Sequence, residues 1–257
     1  MPRDTEDKDI QIYVGPTPPN HIKVAICLSG MCRNIYNSYN WLQKSILDVL
    51  EQNDIQYNFF LSLWSESDDK DIRAMFNLYE LHLKGFEQEI WDNNMADFLG
   101  WQEFKNHRFE IEPRSSCLGM FYKIWKCNEL RKKWEKDNNS EHDIIIRTRN
   151  ELHFNNNIDV EELKILSKNQ DKPIIFLRQG PNPQHIGNKA WTKDNFSIMN
   201  KLGAEIYCET FNHLLDISKF TKVSTAELIL RNWLYSNNVD IYHTSCDYRI
   251  IRRKAND

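Results

Sequence analysis

Apolar runs that could be buried β-strands alternate with helical patterns along the chain, and this order constrains the fold more than any other feature. Residues 22–28 (IKVAICL) and 57–64 (YNFFLSLW) are two such runs. Between them, over residues 34–50, apolar side chains recur every three or four positions, as on one face of a helix. Two buried strands joined through a helix form a βαβ unit, so a parallel sheet is predicted.

The same alternation continues toward the C-terminus. The other predicted strands are apolar segments bounded by polar residues: 143–149, 173–178, 196–199 and 239–245. A short strand is also predicted over residues 104–112, within a segment of mixed polar and apolar residues. The other predicted helices have apolar positions spaced by three and four: 71–82, 160–167, 202–215 and 225–236. A further long helix, with apolar positions from 117 to 134, is predicted to begin after Ser115 or Ser116 and to end near residues 138–139. The order predicts an α/β fold with a Rossmann-like, mainly parallel central sheet flanked by helices.

Composition and the chain ends restrict the class of protein. With 257 residues, 40% of them hydrophobic, and a net charge of −4, the chain can build a packed core. Residues 1–20 are polar and contain a Pro-rich break, so they are predicted to be a disordered N-terminal arm. No linker or internal repeat divides residues 21–257, which are predicted to form a single domain.

Charge, cysteine usage and hydropathy then exclude several partners and compartments. An isoelectric point near 6.1 argues against nucleic-acid binding, which favours basic domains. No apolar run reaches the ~18–20 residues of a membrane span, so none is expected. The acidic N-terminus lacks the apolar segment of a secretory signal, and the six cysteines form no CxxC pair. A cytoplasmic, reducing location is therefore predicted.

The first candidate site lies where the first strand ends. Ligands of parallel α/β sheets bind at the carboxyl ends of the strands. Ser29, Gly30 and Arg33 occupy the turn from the first strand into a helix, where backbone N–H groups and one guanidinium suit a diphosphate. An ordinary turn with a surface arginine explains these residues equally well. Neither a GxGxxG nor a GxxxxGK[ST] motif is present.

The second candidate site follows the strongest predicted strand. Arg147, Arg149 and Glu151 come directly after three consecutive isoleucines, and the two-residue period of a strand places all three on one face. Two guanidinium groups and a carboxylate suit a phosphate-rich ligand, with a divalent cation at the carboxylate. The alternative is a buried Arg–Glu network that ties the edge of the sheet together.

Two carboxylates later in the chain are candidates for acid–base chemistry. Asp194 ends a Gly-, Pro- and Asn-rich loop over residues 179–193, a length typical of functional or mobile loops. Its carboxylate could accept a proton from a hydroxyl nucleophile or hold a substrate hydroxyl. Glu227 could do the same, but it also fits the third helical position of a capping box over residues 224–227.

Two segments resemble a known family. Residues 22–47 (IKVAICLSGMCRNIYNSYNWLQKSIL) and residues 120–154 (MFYKIWKCNELRKKWEKDNNSEHDIIIRTRNELHF) resemble small GT-A-like glycosyltransferases of large DNA viruses, phages and bacterial polysaccharide loci. That family opens with a strand, Ser-Gly-x-x-Arg and a helix with a Trp-Leu pair. A later MFYxIxKCNEL helix leads into a strand that ends Arg-x-Arg-x-Asp-Leu. The resemblance covers most of residues 22–200.

The resemblance implies a GT-A-like domain that uses a nucleotide-sugar donor. Ser29, Gly30 and Arg33 would border the donor nucleotide, and Arg147 with Arg149 would neutralise the leaving diphosphate. Mn²⁺ or Mg²⁺ is the cofactor that the family's Asp-x-Asp motif implies. Glu151 occupies the place of the family's Asp, whereas Arg149 stands where the first acid of Asp-x-Asp would be, which puts metal dependence in doubt.

The activity implied is transfer of a hexosyl or pentosyl group to a hydroxyl of an oligosaccharide or glycoprotein acceptor. Asp194 or Glu227 would deprotonate the acceptor if the reaction inverts configuration. The implied location is cytoplasmic, in the host cytoplasm if the chain is viral. Two alternatives remain open, a non-catalytic nucleotide- or glycan-binding module of the same fold and a nucleotidyl- or phosphotransferase.

Overall fold

The computed structural model describes residues 22–31, 35–65, 76–106, 115–180, 191–220 and 225–251. The predicted N-terminal arm, Arg33 and most of the predicted loop over residues 179–193 lie outside these ranges.

The described residues form a seven-stranded central sheet and a separate two-stranded one. The strands in chain order are β1 (Lys23–Met31), β2 (Gln56–Ser65), β3 (Leu83–Ile90), β4 (Ile144–Thr148), β5 (Leu152–Phe154), β6 (Ile174–Gly180), β7 (Trp191–Asn200), β8 (Asp240–His243) and β9 (Tyr248–Ile250). The central order is β3-β2-β1-β4-β7-β6-β8, while β5 pairs with β9. Only β7 runs antiparallel to its neighbours in this sheet. The predicted α/β fold with a mainly parallel sheet is therefore confirmed.

Helices connect most of these strands. They are α1 (Ile35–Leu42), α2 (Asp48–Gln52), α3 (Asn93–Phe98), α4 (Trp101–Lys105), α5 (Ser115–Asp137), α6 (Val160–Lys168), α7 (Lys201–Cys208), α8 (Leu214–Phe220) and α9 (Ala226–Ser236). A π-helical turn, Gln43–Leu47, joins α1 to α2, and a 3-10 helix, Glu209–His213, joins α7 to α8. Within the described ranges, no helix is long and apolar enough to span a bilayer.

The sheet is covered on both faces, which explains its continuous apolar strands. Along β4, Ile144 and Ile146 pack in the core beneath α1, α2 and α6. Ile145 points the other way, into the core beneath α5, α7, α8 and α9. This alternation follows the two-residue side-chain period of a strand. Because β4 is buried on both faces, any polar group at its carboxyl end lies beside a dry interior.

Three local expectations differ from the structure. Phe104 lies in α4 rather than in the strand predicted over residues 104–112, and its side chain is buried in the core that also contains Ile145. Of the helix predicted over residues 71–82, only residues 76–79 are helical within the described part, and residues 80–82 form a turn. The edge strand β3 was not predicted, because its sequence LKGFEQEI carries three charges.

Candidate active site

The candidate site lies between the carboxyl ends of β1 and β4. These strands are neighbours, and the chain proceeds from β1 to β2 and β3 on one side of that point. The order β3-β2-β1-β4 is the first half of a doubly wound sheet, whose ligands bind where the strand order reverses. Since β7 is antiparallel to β4, with Arg147 opposite Ser197, the chain just before Ser197 reaches the same edge.

The end of β1 combines a buried hydroxyl with an open backbone. Ser29 is buried, and its Oγ has no hydrogen-bond partner in the part of the chain that the structure describes. Gly30 has a φ of +120°, which L side chains rarely adopt, and a Cβ placed on it would meet no atom within 4 Å. Glycine is needed here for the backbone conformation, and the space beside it leaves room for a ligand to approach the chain. Arg33, predicted to act with these two residues, lies outside the described ranges.

Arg147, the last charged residue of β4, is a buried cation. Only 1% of it is exposed. One nitrogen, Nη1, donates to the carbonyl oxygen of Asp194, while Nε and Nη2 have no hydrogen-bond partner among the described residues. No ion pair joins its guanidinium to a described residue. Two unsatisfied donors on a buried charge are costly, so this group indicates an anion that the described residues do not supply.

Arg149 stands nearer the surface and is firmly positioned. Its Nη2 lies 2.6 Å from Oε2 of Glu151, and its Nη1 donates to Oδ1 of Asn195 at 3.0 Å. The side chain of Arg149 is 23% exposed, whereas that of Glu151 is 4% exposed. Glu151 therefore acts on this guanidinium from the buried side and leaves part of it accessible to a bound anion.

This arrangement does not fit a divalent cation at Glu151. Oε2 of Glu151 is already paired with the guanidinium of Arg149, and a second cation would be repelled there. Within the described ranges, no group of three His, Cys, Asp or Glu side chains converges as a metal ion requires. Positive charge at this edge comes from Arg147 and Arg149 instead.

Chelation of divalent cations is expected to leave turnover largely intact, because two arginines supply the charge that a metal would. The measurement is donor turnover after dialysis against EDTA, with and without added Mn²⁺ or Mg²⁺. Loss of turnover in EDTA that added Mn²⁺ restores would contradict this expectation and would place a metal site elsewhere at this edge.

Asp194 and Glu227 carry neighbouring carboxylates, and the backbone carbonyl of Asp194 accepts a hydrogen bond from Arg147. Asp194 lies near the start of β7 and is buried, and no described residue hydrogen-bonds its carboxylate. Burial raises the pKa of Glu227, and the charge of Asp194 raises it further. A carboxyl whose pKa is raised by burial and by a neighbouring carboxylate is typical of acid–base sites.

The capping box predicted for Glu227 begins at Ser224, which lies outside the described ranges. The N-cap of α9 is Thr225, whose side chain makes no capping hydrogen bond. Its Oγ1 is buried without a partner, and Glu227 stands at the second helical position rather than the third. The carboxylate of Glu227 is consequently not used as a cap for Thr225.

Three buried side chains that the sequence reasoning missed complete the cluster. Tyr207 donates from its hydroxyl to the carbonyl oxygen of Asp194 at 3.2 Å, and burial raises its pKa to about 12 although Arg147 acts in the opposite direction. Burial, and then the charge of Asp194, raise the pKa values of Tyr248 and Cys117. Each comes from a different element, and no local motif links any of them to the arginines.

Glu227→Gln is expected to stabilise the protein at pH 7. Below the ordinary pKa of 4.5, the carboxyl is protonated both folded and unfolded, and it contributes nothing. As the pH rises through and above that value, ionisation is less favourable in the folded chain, because its pKa is raised there. Urea unfolding should therefore show a gain at pH 7 that disappears near pH 4. A matched change at the exposed Glu103 should show no such gain, and a loss of stability at pH 7 for Glu227→Gln would refute the expectation.

Comparison with known proteins gives structural likenesses only. No protein-family model matches the chain, and no curated protein matches it in sequence. The mannosyltransferase Ktr4p from S. cerevisiae is similar in structure, with a TM-score of 0.46 and 13% identity over 92% of this chain and 72% of that chain. Mouse xyloside xylosyltransferase 1 has a TM-score of 0.41 and 12% identity over 88% and 85%. A Bacillus anthracis protein described as a glucose-1-phosphate thymidylyltransferase, in complex with a sucrose, has a TM-score of 0.41 and 10% identity over 90% and 89%.

Proposed function

We propose that this chain is a glycosyltransferase that moves a hexosyl or pentosyl group from a nucleotide-sugar to a hydroxyl of a glycan. The observation that carries the proposal is the buried guanidinium of Arg147, which has two unsatisfied donors at the point where the strand order reverses. An anionic ligand with several acceptor oxygens is what such an edge accommodates best. The sequence resemblance to GT-A-like glycosyltransferases supports a diphosphate as that anion.

Both arginines would stabilise the negative charge of the leaving diphosphate. Arg149 has an accessible guanidinium fixed by Glu151 and Asn195, so it would donate directly to the diphosphate. Arg147 is buried in a dry interior, where its charge acts over a longer distance than in water. As the bond from the anomeric carbon to the diphosphate oxygen breaks, negative charge grows on the diphosphate. Fixed positive charge stabilises that transition state more than the ground state.

The carboxylate pair would handle the proton of the acceptor. The acceptor oxygen forms a bond to the anomeric carbon, and its proton passes to a carboxylate as that bond forms. Asp194 is the better base, because its charge raises the pKa of Glu227 and so keeps that neighbour protonated to higher pH. A protonated Glu227 would then be available to donate a hydrogen bond.

Donor binding and hydrolysis test this function. UDP-, GDP- and dTDP-sugars are screened by thermal shift at millimolar concentration, with the full chain, and slow hydrolysis of the stabilising donor is followed by the products released. A donor that binds with a micromolar Kd should, at millimolar concentration, raise the free energy of unfolding by ~4 kcal/mol. Its hydrolysis should yield free sugar and nucleoside diphosphate. Binding without hydrolysis would favour the non-catalytic module, and release of pyrophosphate or phosphate would favour a nucleotidyl- or phosphotransferase.

A further inference from the structure

A stacked aromatic pair lies beside the strand that follows the candidate active site. The rings of Trp41, on α1, and His153, on β5, have centroids 4.1 Å apart and are inclined by only 9°. The neighbouring strand β9 also holds His153, since Nε of Arg249 on β9 donates to its Nδ1 at 3.1 Å. Accepting that bond leaves Nε2 of His153 as the protonated nitrogen, so the ring is a neutral donor. The pair is thus a rigid aromatic platform with one polar edge.

A cavity of about 560 Å³ opens at this platform. Its volume is within the range of small-molecule sites. Most of its wall is polar, and the amide side chains are its most frequent members. The lining residues other than the platform are Lys44, Ser45, Asp48, Val49, Gln52, Phe154, Asn155, Asn156 and Asn157.

The helix wall of this cavity departs from regular α-helix. Gln43–Leu47 is a π-helical turn, closed by a hydrogen bond from the N–H of Asp48 to the carbonyl of Gln43. The carbonyl of Ser45 instead accepts from the N–H of Ile158, at 3.0 Å, in the segment that follows the cavity's asparagines. Single π-helical turns within helices are frequent at functional sites. This one ties the helix to the opposite wall and fixes the width of the cavity.

The polar groups of the cavity match hydroxyls rather than phosphates. Lys44 and Asp48 are the charged residues of the lining, and they cancel each other. Gln52 and Asn157 are exposed, and their amides bond no described residue. An amide offers both a donor and an acceptor, as successive sugar hydroxyls require. A phosphate would need an excess of positive charge.

We propose that this cavity binds a neutral saccharide, with one sugar ring packed on the Trp41–His153 platform and its hydroxyls bonded to Gln52 and Asn157. The C–H face of a pyranose is apolar and fits an aromatic ring, while its edge is polar. His153 follows Glu151 by two residues, and two residues of chain span at most about 7 Å. The cavity is therefore placed to hold the body of an acceptor glycan; that role rests on the proposed function, whereas saccharide binding itself does not.

Direct binding to the full chain tests the proposal. Xylotetraose, mannotetraose, cellotetraose and triacetylchitotriose serve as neutral probes at millimolar concentration, by saturation-transfer NMR and calorimetry. Gln52→Ala and Asn157→Ala change exposed side chains and should each raise the Kd of the probe that binds about fivefold, the effect of one lost hydrogen bond. Trp41→Ala should abolish measurable binding. The controls are Gln56→Ala, at the exposed start of β2, and Trp101→Ala, a half-buried tryptophan of α4.

The outcomes separate this site from the donor site. Binding of one probe that is weakened by the cavity variants, and by neither control, supports the proposal. No binding of any probe to the wild type, equal binding in all variants, or a nucleoside diphosphate that loses affinity in Gln52→Ala would overturn it. Nucleotide-sugar thermal shifts are measured on the same samples. Donor turnover without saccharide binding would refute this proposal and leave the proposed function intact. Saccharide binding without any donor binding would refute the proposed function and leave this proposal intact.

Discussion

Arg147→Met is expected to lower transfer about 10²–10³-fold while the free energy of unfolding stays within about 1–2 kcal/mol of wild type. Under the proposed function, the loss of activity follows from removing a fixed positive charge that would face the leaving diphosphate. Stability changes little because methionine replaces the apolar stem of the arginine, and the substitution removes a buried charge with two nitrogens that no described residue satisfies. Only the hydrogen bond to the carbonyl of Asp194 is given up. Turnover with the preferred donor and urea unfolding measure the two effects.

Arg131 provides a matched control for this substitution. It is equally buried, but its guanidinium is paired with Glu135 at 2.7 Å and with Glu205 at 3.0 Å. Arg131→Met would remove the cation paired with the buried Glu135 and leave that carboxylate only His142 as a partner. The substitution should therefore destabilise the fold by about 3–5 kcal/mol and leave the kcat of the folded fraction unchanged. If Arg147→Met instead resembles Arg131→Met in both measurements, Arg147 is a structural residue.

The central strands could be predicted because burial on both faces leaves a local signature. In β4, three consecutive isoleucines belong alternately to the two cores. A strand can bury all three side chains only if both of its faces are covered. The edge strand β3 has no such signature, since Glu87 and Glu89 lie on it and pair with Lys123 of α5. These residues are far apart in sequence. Because the partner of the two glutamates is a buried lysine on a distant helix, no local sequence pattern indicates that this charged segment is a strand.

The candidate site divides in the same way. Arg147, Arg149 and Glu151 stand out in the sequence because charges follow an apolar run directly. Their separate roles cannot be predicted from the sequence. The spacing indicated a metal ligand at Glu151, whereas in the structure its carboxylate pairs with Arg149. Tyr207 reaches the edge from α7, and its position depends on how that helix packs on the sheet. The direction of β7 was also beyond local reasoning, although it alone brings Asp194 to the arginines.

Asp194→Asn is expected to lower kcat by about 10²–10⁴-fold with little change in donor affinity. Asparagine keeps the shape of the side chain and the backbone carbonyl that Arg147 and Tyr207 bond. It cannot take the proton of the acceptor. Asp216→Asn is the control, because that carboxylate is exposed and pairs with Lys219. If Asp194→Asn retains the wild-type kcat, Asp194 takes no part in the reaction.

The same substitution has a second readout that a merely structural aspartate would not move. The charge of Asp194 is one of the causes that raise the pKa of Glu227, after burial. Neutralising it should lower the pKa of Glu227 toward its ordinary value, which carboxyl NMR titration detects without any substrate. If Glu227 takes over as base in the variant, the acid limb of the residual pH–rate profile should follow that shift to lower pH. Since a group with lower pKa is ionised over a wider pH range, residual transfer should then persist in more acidic buffer. A profile that stays in place while Glu227 titrates at lower pH would show that Glu227 is not the substitute base, and the proton would have to leave by water.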